Sequence, residues 1–280
     1  MVILKDVLKS CADILKNSVP SPFTEAQILL GYVLSKDSLY IKTHPDIPVD
    51  SQDEKKAYSL CKRRAKGEPV AYITGIKEFM SLEFEVCPAV LIPRPDTEII
   101  TEYIIEKYSD SSIAVLDLCT GSGAISVSLA KYMKNAHITA TDISPDAIRV
   151  AKRNAKRNQV EGKIDFLIKD AIWDYDFKNK FDVVVSNPPY IETSCISSLM
   201  RDVSEFEPKL ALDGGEDGLI FYKKIVNNIK KILKCGGELI FEIGYNQGNA
   251  VSDIMKNEFS HILVTKDYAG QDRMVTGQLI

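Results

Sequence analysis

The stretch IAVLDLCTGSGAISVSLAKYM, residues 113–133, joins a run of apolar residues, a glycine-containing turn and a helical pattern. The apolar run predicts a buried strand, and the residues after Gly123 predict a helix. Gly121 and Gly123 permit positive φ and let a ligand approach the main chain closely. The free N–H groups of the first helical turn would point at that ligand. The stretch therefore predicts a strand–loop–helix unit that binds a small molecule at its turn.

Strands and helices continue to alternate from this stretch to the end of the chain. Such alternation predicts a mostly parallel sheet with helices on both faces, which is an α/β fold. Ser144 and Pro145 favour a helix start, as N-cap and first helical residue. Further strands are expected at residues 137–142, 163–170, 181–187 and 238–243, with a closing strand pair at 261–268 and 273–280. Further helices are expected at residues 145–158 and 218–234, the second ending at Gly236 and Gly237.

The first quarter of the chain has a different pattern. Residues 1–75 show helical spacing of apolar residues in three segments, which predicts a small helical N-terminal domain. Residues 76–95 alternate apolar and polar side chains and predict a β-hairpin that links two domains. Pro95 and Asp96 can open the next helix. The α/β domain would then occupy residues 96–280.

Composition narrows the class of protein. The chain has 280 residues, 45% of them hydrophobic, and a net charge of −4. A protein that holds DNA through its phosphates usually has a basic excess. The cluster Lys152, Arg153, Lys156 and Arg157 could form a local basic face, but a solvated helix surface explains it more simply. No segment has the composition of a signal peptide or membrane span, so we expect a cytoplasmic protein.

Six cysteines occur without CxxC spacing, and no histidine stands at metal-ligand spacing from one. This pattern predicts free thiols, no disulfide framework and no metal site.

The turn after residue 118 predicts the chemistry of the ligand. Asp142 ends the next strand, 19 residues after Gly123, where an acid can accept both ribose hydroxyls of an adenosine. A dinucleotide site would require a third glycine, but position 126 is Ser. Asp117 would also repel a pyrophosphate, whereas a negative charge is favourable near a sulfonium or an ammonium. The pattern therefore favours S-adenosylmethionine over NAD. Asp170 and the backbone of Ala171 could hydrogen-bond adenine, or Asp170 could simply cap a turn.

The segment VVVSNPPYIE, residues 183–192, predicts the second substrate. A buried strand ends in Asn187, at the edge where open α/β sheets bind ligands. The Asn187 side-chain oxygen and the Pro188 carbonyl oxygen can accept the two N–H groups of an amide or arylamine. Tyr190 offers an aromatic face for a planar group. These residues predict methyl transfer to a planar nitrogen.

Several segments together resemble the HemK/PrmC family of release factor N5-glutamine methyltransferases. The resemblance rests on the interdomain segment 69–98, on the two motifs described above, on EFEPKLALDGGEDGL at 205–219 and on AGQDRMVTGQL at 269–279. It implies a Rossmann-like, seven-stranded class I methyltransferase domain behind a helical domain that docks a protein substrate. It also implies that the target is the glutamine of the Gly-Gly-Gln motif in peptide chain release factors.

The residue patterns and the resemblance together assign the site, and the resemblance itself carries over Thr120 to Gly123, Asp142 and Asn187 to Tyr190. The expected cofactor-binding residues are Asp117, Cys119, Thr120, Gly121, Ser122, Gly123, Asp142, Asp170, Ala171 and Asn187. The glutamine amide would be held by Asn187, Pro188, Pro189 and Tyr190, of which Asn187, Pro188 and Tyr190 are the expected catalytic residues. Cys119 and Ala171 depart from the family pattern, which commonly has Gly at the first position and in some members a large aromatic at the second. Arg94 and Glu98 could border the cofactor site, or serve as an ion pair and a cap.

Two alternatives remain open from the sequence. The same pocket could methylate the amino group of a nucleic-acid base, adenine N6 or guanine N2, if a flipped base and a basic channel were available. The chain could also bind S-adenosylmethionine without catalysis. We expect a monomer that acts on a protein, with no membrane attachment and no direct nucleic-acid substrate.

Overall fold

Short helices build the first part of the chain, and apolar side chains at helical spacing form its core. The structure, a computed structural model, describes residues 2–280. The elements of this part are β1 (Val2–Ile3), α1 (Leu4–Leu15), α2 (Pro22–Leu34), α3 (Ser38–Thr43), β2 (Pro48–Val49), α4 (Ser51–Ala65) and α5 (Val70–Thr74). Leu4, Val7, Leu8, Cys11 and Leu15 of α1 are all buried. The predicted helix at the start of the chain is therefore confirmed.

The remaining elements are strands and helices, which alternate strictly from residue 114 to residue 168. They are β3 (Ile76–Phe79), β4 (Leu82–Glu85), α6 (Glu98–Tyr108), β5 (Ala114–Leu118), α7 (Ala124–Tyr132), β6 (His137–Asp142), α8 (Pro145–Arg157), β7 (Ile164–Ile168), β8 (Phe181–Ser186), α9 (Arg201–Ser204), α10 (Ile220–Ile232), β9 (Leu233–Glu242), α11 (Gly248–Met255), β10 (Phe259–Lys266) and β11 (Asp272–Leu279). Within residues 2–280, no helix has the length and apolarity needed to cross a bilayer.

The chain divides into two units. The first contains residues up to 76 together with 200–206, and the second contains 77–199 and 207–280. Arg64 joins the separate segment to the first unit, because its guanidinium pairs with Glu25 at 2.6 Å and with Asp202 at 3.5 Å. The sequence pattern gives no sign of this association, since the partners are more than a hundred residues apart.

Seven strands of the second unit form one sheet, in the order β10-β11-β9-β8-β5-β6-β7. The pairs joining β9, β8, β5, β6 and β7 are parallel, and β10 and β11 are antiparallel. The predicted seven-stranded, Rossmann-like α/β fold and its closing strand pair are thus confirmed. Since β5 lies between β6 and β8, the chain order reverses at β5, and this reversal opens a crevice at the carboxyl ends of the strands.

Alternate residues of each central strand point to opposite faces of the sheet. Val115, Val183 and Val185 belong to one apolar cluster, which contains side chains of α6, α7 and α8. Leu116 and Val184 belong to a second cluster, which contains side chains of α10 and α11. Helices therefore cover both faces of the sheet, and the strands are buried on both sides.

The helix expected at residues 218–234 ends earlier than its glycines suggest. α10 stops at Ile232, and Gly236 and Gly237 lie inside β9. The β8–β9 register shifts between the pairs Phe181–Leu233 and Val183–Glu238, so the glycines occupy a bulge. A Cβ atom on Gly237 would lie 2.9 Å from the carbonyl oxygen of Asp182. These glycines therefore fit the bulge and do not end the helix.

The predicted hairpin is formed by β3 and β4, and it is held by α8. Arg153 pairs with Glu85 and Arg157 with Glu83, so part of the basic cluster on this helix is used in structural ion pairs. The buried Asn154 side chain donates to the carbonyls of Glu85 and Ser122 and accepts from the Glu85 N–H. Asn154 thus joins the hairpin to the loop after β5.

Removing the Asn154 amide should destabilise the second unit. Asn154→Ala leaves three backbone groups, one buried and two partly buried, without their partner, at a cost of about 2–4 kcal/mol of unfolding free energy. Urea denaturation measures the change, with Asn257→Ala on the exposed face of the chain as the matched control. A loss no larger than that of the control would show that Asn154 does not hold the hairpin.

Candidate active site

A cavity of about 300 Å³ opens at the carboxyl ends of the parallel strands. Its wall contains residues that follow β5, β6, β7 and β8, and all of them belong to the second unit. The register explains this arrangement, because Leu118 pairs with Thr141 and Ser186, and Asp142 pairs with Ile168. The residues after each strand end are therefore brought to the same edge. A volume of this size is in the range of small-molecule sites, roughly 300–1,000 Å³.

The loop after β5 forms one wall. Cys119, Gly121 and Gly123 have φ values of 63°, 56° and 80°. Such backbone favours glycine, which explains why a glycine would suit position 119. A Cβ atom on Gly121 would meet nothing within 4 Å, whereas one on Gly123 would lie 3.1 Å from the Ala151 Cβ. Gly121 therefore leaves space for a ligand, and Gly123 permits close packing against α8.

Asp142 stands where β6 ends, and it lines the cavity. Its carboxylate accepts the N–H groups of Gly121 and Ser144, each at 2.9 Å. Burial raises the pKa of Asp142, while these backbone N–H groups act in the opposite direction. The acid therefore orders the glycine loop as well as facing the cavity, in the place expected for a ribose-binding group.

Asp117 lies behind the cavity wall, fully buried, and does not line it. The Thr120 hydroxyl donates to its Oδ2 at 2.6 Å, and Thr120 does line the cavity. Burial raises the pKa of Asp117 to about 7. The structure thus places this acid where it reaches the cavity through Thr120, and its expected role as a cofactor ligand stays a prediction.

Residues that follow β6 and β7 form another part of the cavity wall. Asp170 and Ala171 line the cavity, as do Ile143 and Ile172. The Asp170 Oδ1 accepts the Ile172 N–H at 2.7 Å, so this acid orders a turn as well as facing the cavity. Ile143 is 46% exposed. Ile143 and Ile172 therefore add apolar surface to the cavity wall on either side of Asp170 and Ala171 in sequence.

The Asn-Pro-Pro-Tyr segment follows β8 and is only partly on the cavity wall. Asn187 and Pro189 line the cavity, but Pro188 and Tyr190 do not. The Tyr190 carbonyl accepts from the Gln247 side chain at 3.1 Å. A Cβ atom on Gly214 would lie 2.7 Å from the Tyr190 Cα, so a larger residue there would displace this segment. The loop at 213–218 therefore packs closely against the Asn-Pro-Pro-Tyr segment. Because Pro188 and Tyr190 do not line the cavity, their roles in substrate binding stay predictions.

The Asn187 amide has a defined orientation. Its Nδ2 donates to the Thr97 hydroxyl oxygen at 3.2 Å, and Thr97 also lines the cavity. Because the NH2 group is engaged by Thr97, the carbonyl oxygen is the group left for a ligand. This is the orientation that accepting an N–H group from a substrate requires.

Arg94 and Glu98 have different positions. Arg94 lines the cavity and forms an ion pair with the buried Glu207, which also accepts the Ile92 N–H. This pair ties the residues around 92–94 to the turn at Lys209–Ala211, and Leu210 and Ala211 of that turn line the cavity. Glu98 accepts the Met80 N–H at 2.7 Å and so caps the hairpin turn.

Sequence reasoning did not assign several residues that line the cavity: Leu91, Pro93, Thr97, Ile143, Leu210 and Phe221. Among these residues, only Ile143 could have been assigned to the cavity from the sequence, because it directly follows Asp142, the acid that ends β6. The others come from segments that are distant in sequence.

The donor set fits S-adenosylmethionine. The Gly121 backbone leaves open space, Asp142 places a carboxylate on the wall where a ribose acceptor is expected, and Ile143 and Ile172 add apolar side chains to the wall that contains Asp170. The wall also lacks the third glycine that a dinucleotide pyrophosphate would need. This site on this sheet defines a class I methyltransferase, and S-adenosylmethionine is its cofactor.

Comparisons with known proteins agree with this class. Residues 109–273 match the family described as methyltransferase domain, and residues 6–75 match the PrmC N-terminal domain. A release factor glutamine methyltransferase of Clostridium acetobutylicum is 44% identical, with 97% of each chain covered. One from Clostridium botulinum is 39% identical, with 98% of each covered. The chain belongs to the release factor glutamine methyltransferase family.

A solved structure supports the fold independently. A methyltransferase from Pyrococcus furiosus matches with a TM-score of 0.53 at 20% identity, covering 78% of this chain and 97% of that one.

The open space at Gly121 can be tested directly. Gly121→Ala should weaken S-adenosylmethionine binding by roughly tenfold or more, because the new methyl group would fill space that the ligand needs. Gly236→Ala is the matched control, since Gly236 also has positive φ and a Cβ atom there would meet nothing within 4 Å, but it lies in the β9 bulge. Calorimetric titration with the cofactor measures both. Equal affinities for the two variants would contradict a cofactor at Gly121.

Asp117 should make stability depend on pH. Its folded pKa of about 7 lies above the usual 3.8, so its contribution to stability is greatest in acid and is lost as the pH rises towards 7. Asp117→Asn removes this dependence. Relative to the wild type, the variant should therefore gain about 2–3 kcal/mol of unfolding free energy between pH 5 and pH 8. Urea unfolding at both values measures this difference, and a constant difference would show that Asp117 is ionised throughout.

Proposed function

We propose that this chain transfers a methyl group to the side-chain amide nitrogen of the glutamine in the Gly-Gly-Gln motif of peptide chain release factors. The observation that carries the proposal is the Asn187 side chain, which lies on the cavity wall with its NH2 group engaged by Thr97. Its carbonyl oxygen is thereby left to accept an N–H group. The full-length similarity to release factor glutamine methyltransferases supports a glutamine amide as the group it accepts.

The residues of the chain act mainly by positioning. When bound, S-adenosylmethionine supplies an electrophilic methyl group on a sulfonium. Asn187 Oδ1 and the Pro188 carbonyl oxygen hold the two N–H groups of the glutamine amide, which favours the pyramidal form of a nitrogen whose lone pair is otherwise delocalised. The proposal also assigns to Tyr190 the aromatic face that packs against the amide plane, although this side chain does not line the cavity. No strong general base is required, because the methylated nitrogen is acidic and loses its proton to solvent. Orientation of this kind can supply about 7–11 kcal/mol.

The domain roles are part of the proposal. The helical residues 1–75 dock the release factor, residues 76–95 form the hairpin and linker, and residues 96–280 carry the catalytic domain. The substrate is a protein and not a nucleic acid, which agrees with the net charge of −4 and with the use of Arg153 and Arg157 in ion pairs on α8. We further propose a cytoplasmic monomer, since a reducing compartment suits six free cysteines.

Methyl transfer to a release factor tests the proposal. The purified chain is incubated with labelled S-adenosylmethionine and a release factor, beside parallel reactions with DNA and tRNA. Mass spectrometry of the tryptic peptide should find one added methyl group on the glutamine of the Gly-Gly-Gln motif. Label that appears only in nucleic acid would reject the proposal and favour base methylation.

Asn187→Ala should separate catalysis from cofactor binding. The variant should lower kcat by about a hundredfold, because the amide nitrogen loses the acceptor that orients it. Its affinity for S-adenosylmethionine should change far less, and Asn179→Ala on the exposed surface serves as the control. Unchanged turnover in Asn187→Ala would remove this mechanism and support a non-catalytic binding protein.

A further inference from the structure

Glu242 is a buried acid directly behind the reacting centre. It ends β9, and because Ser186 pairs with Phe241, Glu242 and Asn187 are neighbours at the same edge of the sheet. Its side chain is 1% exposed and does not line the cavity. An ionisable group in such a position is costly unless its partners compensate it. The proposed mechanism of methyl transfer does not use Glu242.

A hydrogen-bond chain joins Glu242 to Asn187. The Thr97 hydroxyl donates to Glu242 Oε2 at 2.6 Å, and the same hydroxyl oxygen accepts from Asn187 Nδ2 at 3.2 Å. A hydroxyl has only one proton to donate. While the carboxylate takes that proton, Thr97 can only accept from Asn187, and this fixes the asparagine with its NH2 group inward.

Charged and titratable groups surround the acid on every side. Arg273 of β11 favours its ionised form, whereas Asp96 opposes it. Arg273 itself lies 3.3 Å from Asp96 and 3.0 Å from Asp267. Tyr190 and Tyr222 also face Glu242, and the Tyr222 hydroxyl donates to its backbone carbonyl. Burial raises the pKa of Glu242 to about 7, while the hydrogen bond from Thr97, the charge of Arg273 and a direct side-chain hydrogen bond from Asn187 act against the rise.

We propose that Glu242 is a positioning residue for methyl transfer, which acts through the Thr97 hydroxyl and through its own contact with the Asn187 NH2 group to turn the Asn187 carbonyl oxygen toward the substrate amide. The proposal rests on the proposed function of Asn187. Protonation of Glu242 exchanges the donor and acceptor roles in these hydrogen bonds. A carboxylic acid donates to the Thr97 oxygen, and the Thr97 proton then favours the Asn187 oxygen as its acceptor. The asparagine amide would flip and present N–H groups to a substrate that also carries only N–H groups.

Three substitutions separate positioning from simple structural support. Glu242→Gln keeps the shape of the side chain but can donate as well as accept. Thr97→Val removes the hydroxyl, and Thr97→Ser keeps it. Glu106→Gln, on the exposed face of α6, is the matched control for loss of a carboxylate. Thermal unfolding establishes that each variant is folded.

The kinetic outcome should depend on the hydrogen-bond chain. In Glu242→Gln and Thr97→Val, kcat for the release factor should fall by roughly ten- to a hundredfold, the range seen when supporting hydrogen bonds to a functional group are lost. Thr97→Ser should lose much less than Thr97→Val, and Glu242→Gln should bind S-adenosylmethionine as the wild type does. In the wild type, kcat should fall as the pH drops through about 7, and this acid limb should vanish in Glu242→Gln. Wild-type kcat or a retained acid limb in Glu242→Gln would overturn the proposal.

A spectroscopic measurement is independent of turnover. The side-chain amide resonance of Asn187, assigned from its loss in Asn187→Ala, should shift with pH near neutrality in the wild type and should not shift in Glu242→Gln. If the wild type fails to methylate the release factor but this titration is present, the proposed function is wrong and the coupling of Glu242 to Asn187 stands. If the resonance is insensitive to pH, or titrates equally in Glu242→Gln, the positioning role is overturned.

Discussion

The parallel pairing of β5 with both β6 and β8 is the constraint on which the site depends. It brings the residues after three strands to one edge, so that the glycine loop, the acid at 142 and the asparagine at 187 share one cavity. Reversal of the strand order at β5 opens the crevice in which a ligand fits. Apolar side chains on both faces of these strands hold the edge rigid, which positional catalysis requires.

Buried polar groups behind the cavity wall give this edge its precision. Asp117 is reached through Thr120, and Glu242 is reached through Thr97. In each case a threonine that lines the cavity donates its hydroxyl proton to a fully buried acid. The acid therefore contacts the cavity wall through the threonine. Such acids cost stability near neutral pH, because burial raises the pKa of each to about 7. Ionisable groups with strongly shifted pKa values cluster at functional sites, and both of these acids lie behind the wall of the cavity.

Those parts of the fold and the site whose sequence pattern spans only a few neighbouring residues could be predicted from the sequence. The strand–glycine–helix unit, the acid after β6 and the asparagine after β8 each carry their pattern within a few residues. The end of α10 could not be predicted, because Gly236 and Gly237 read as a helix stop and only the register with β8 shows a bulge. The hydrogen bonds that link Asn187 through Thr97 to Glu242 could not be predicted either. These three residues come from three segments that only the fold brings together.

In the proposed mechanism, the Asn187 carbonyl oxygen holds the amide nitrogen that receives the methyl group. A crystal structure with S-adenosylhomocysteine and a peptide containing Gly-Gly-Gln measures this most directly. We expect the glutamine nitrogen within about 3 Å of Asn187 Oδ1 and of the Pro188 carbonyl oxygen. A glutamine bound elsewhere, or an Asn187 side chain turned away from it, would show that Asn187 does not hold the amide.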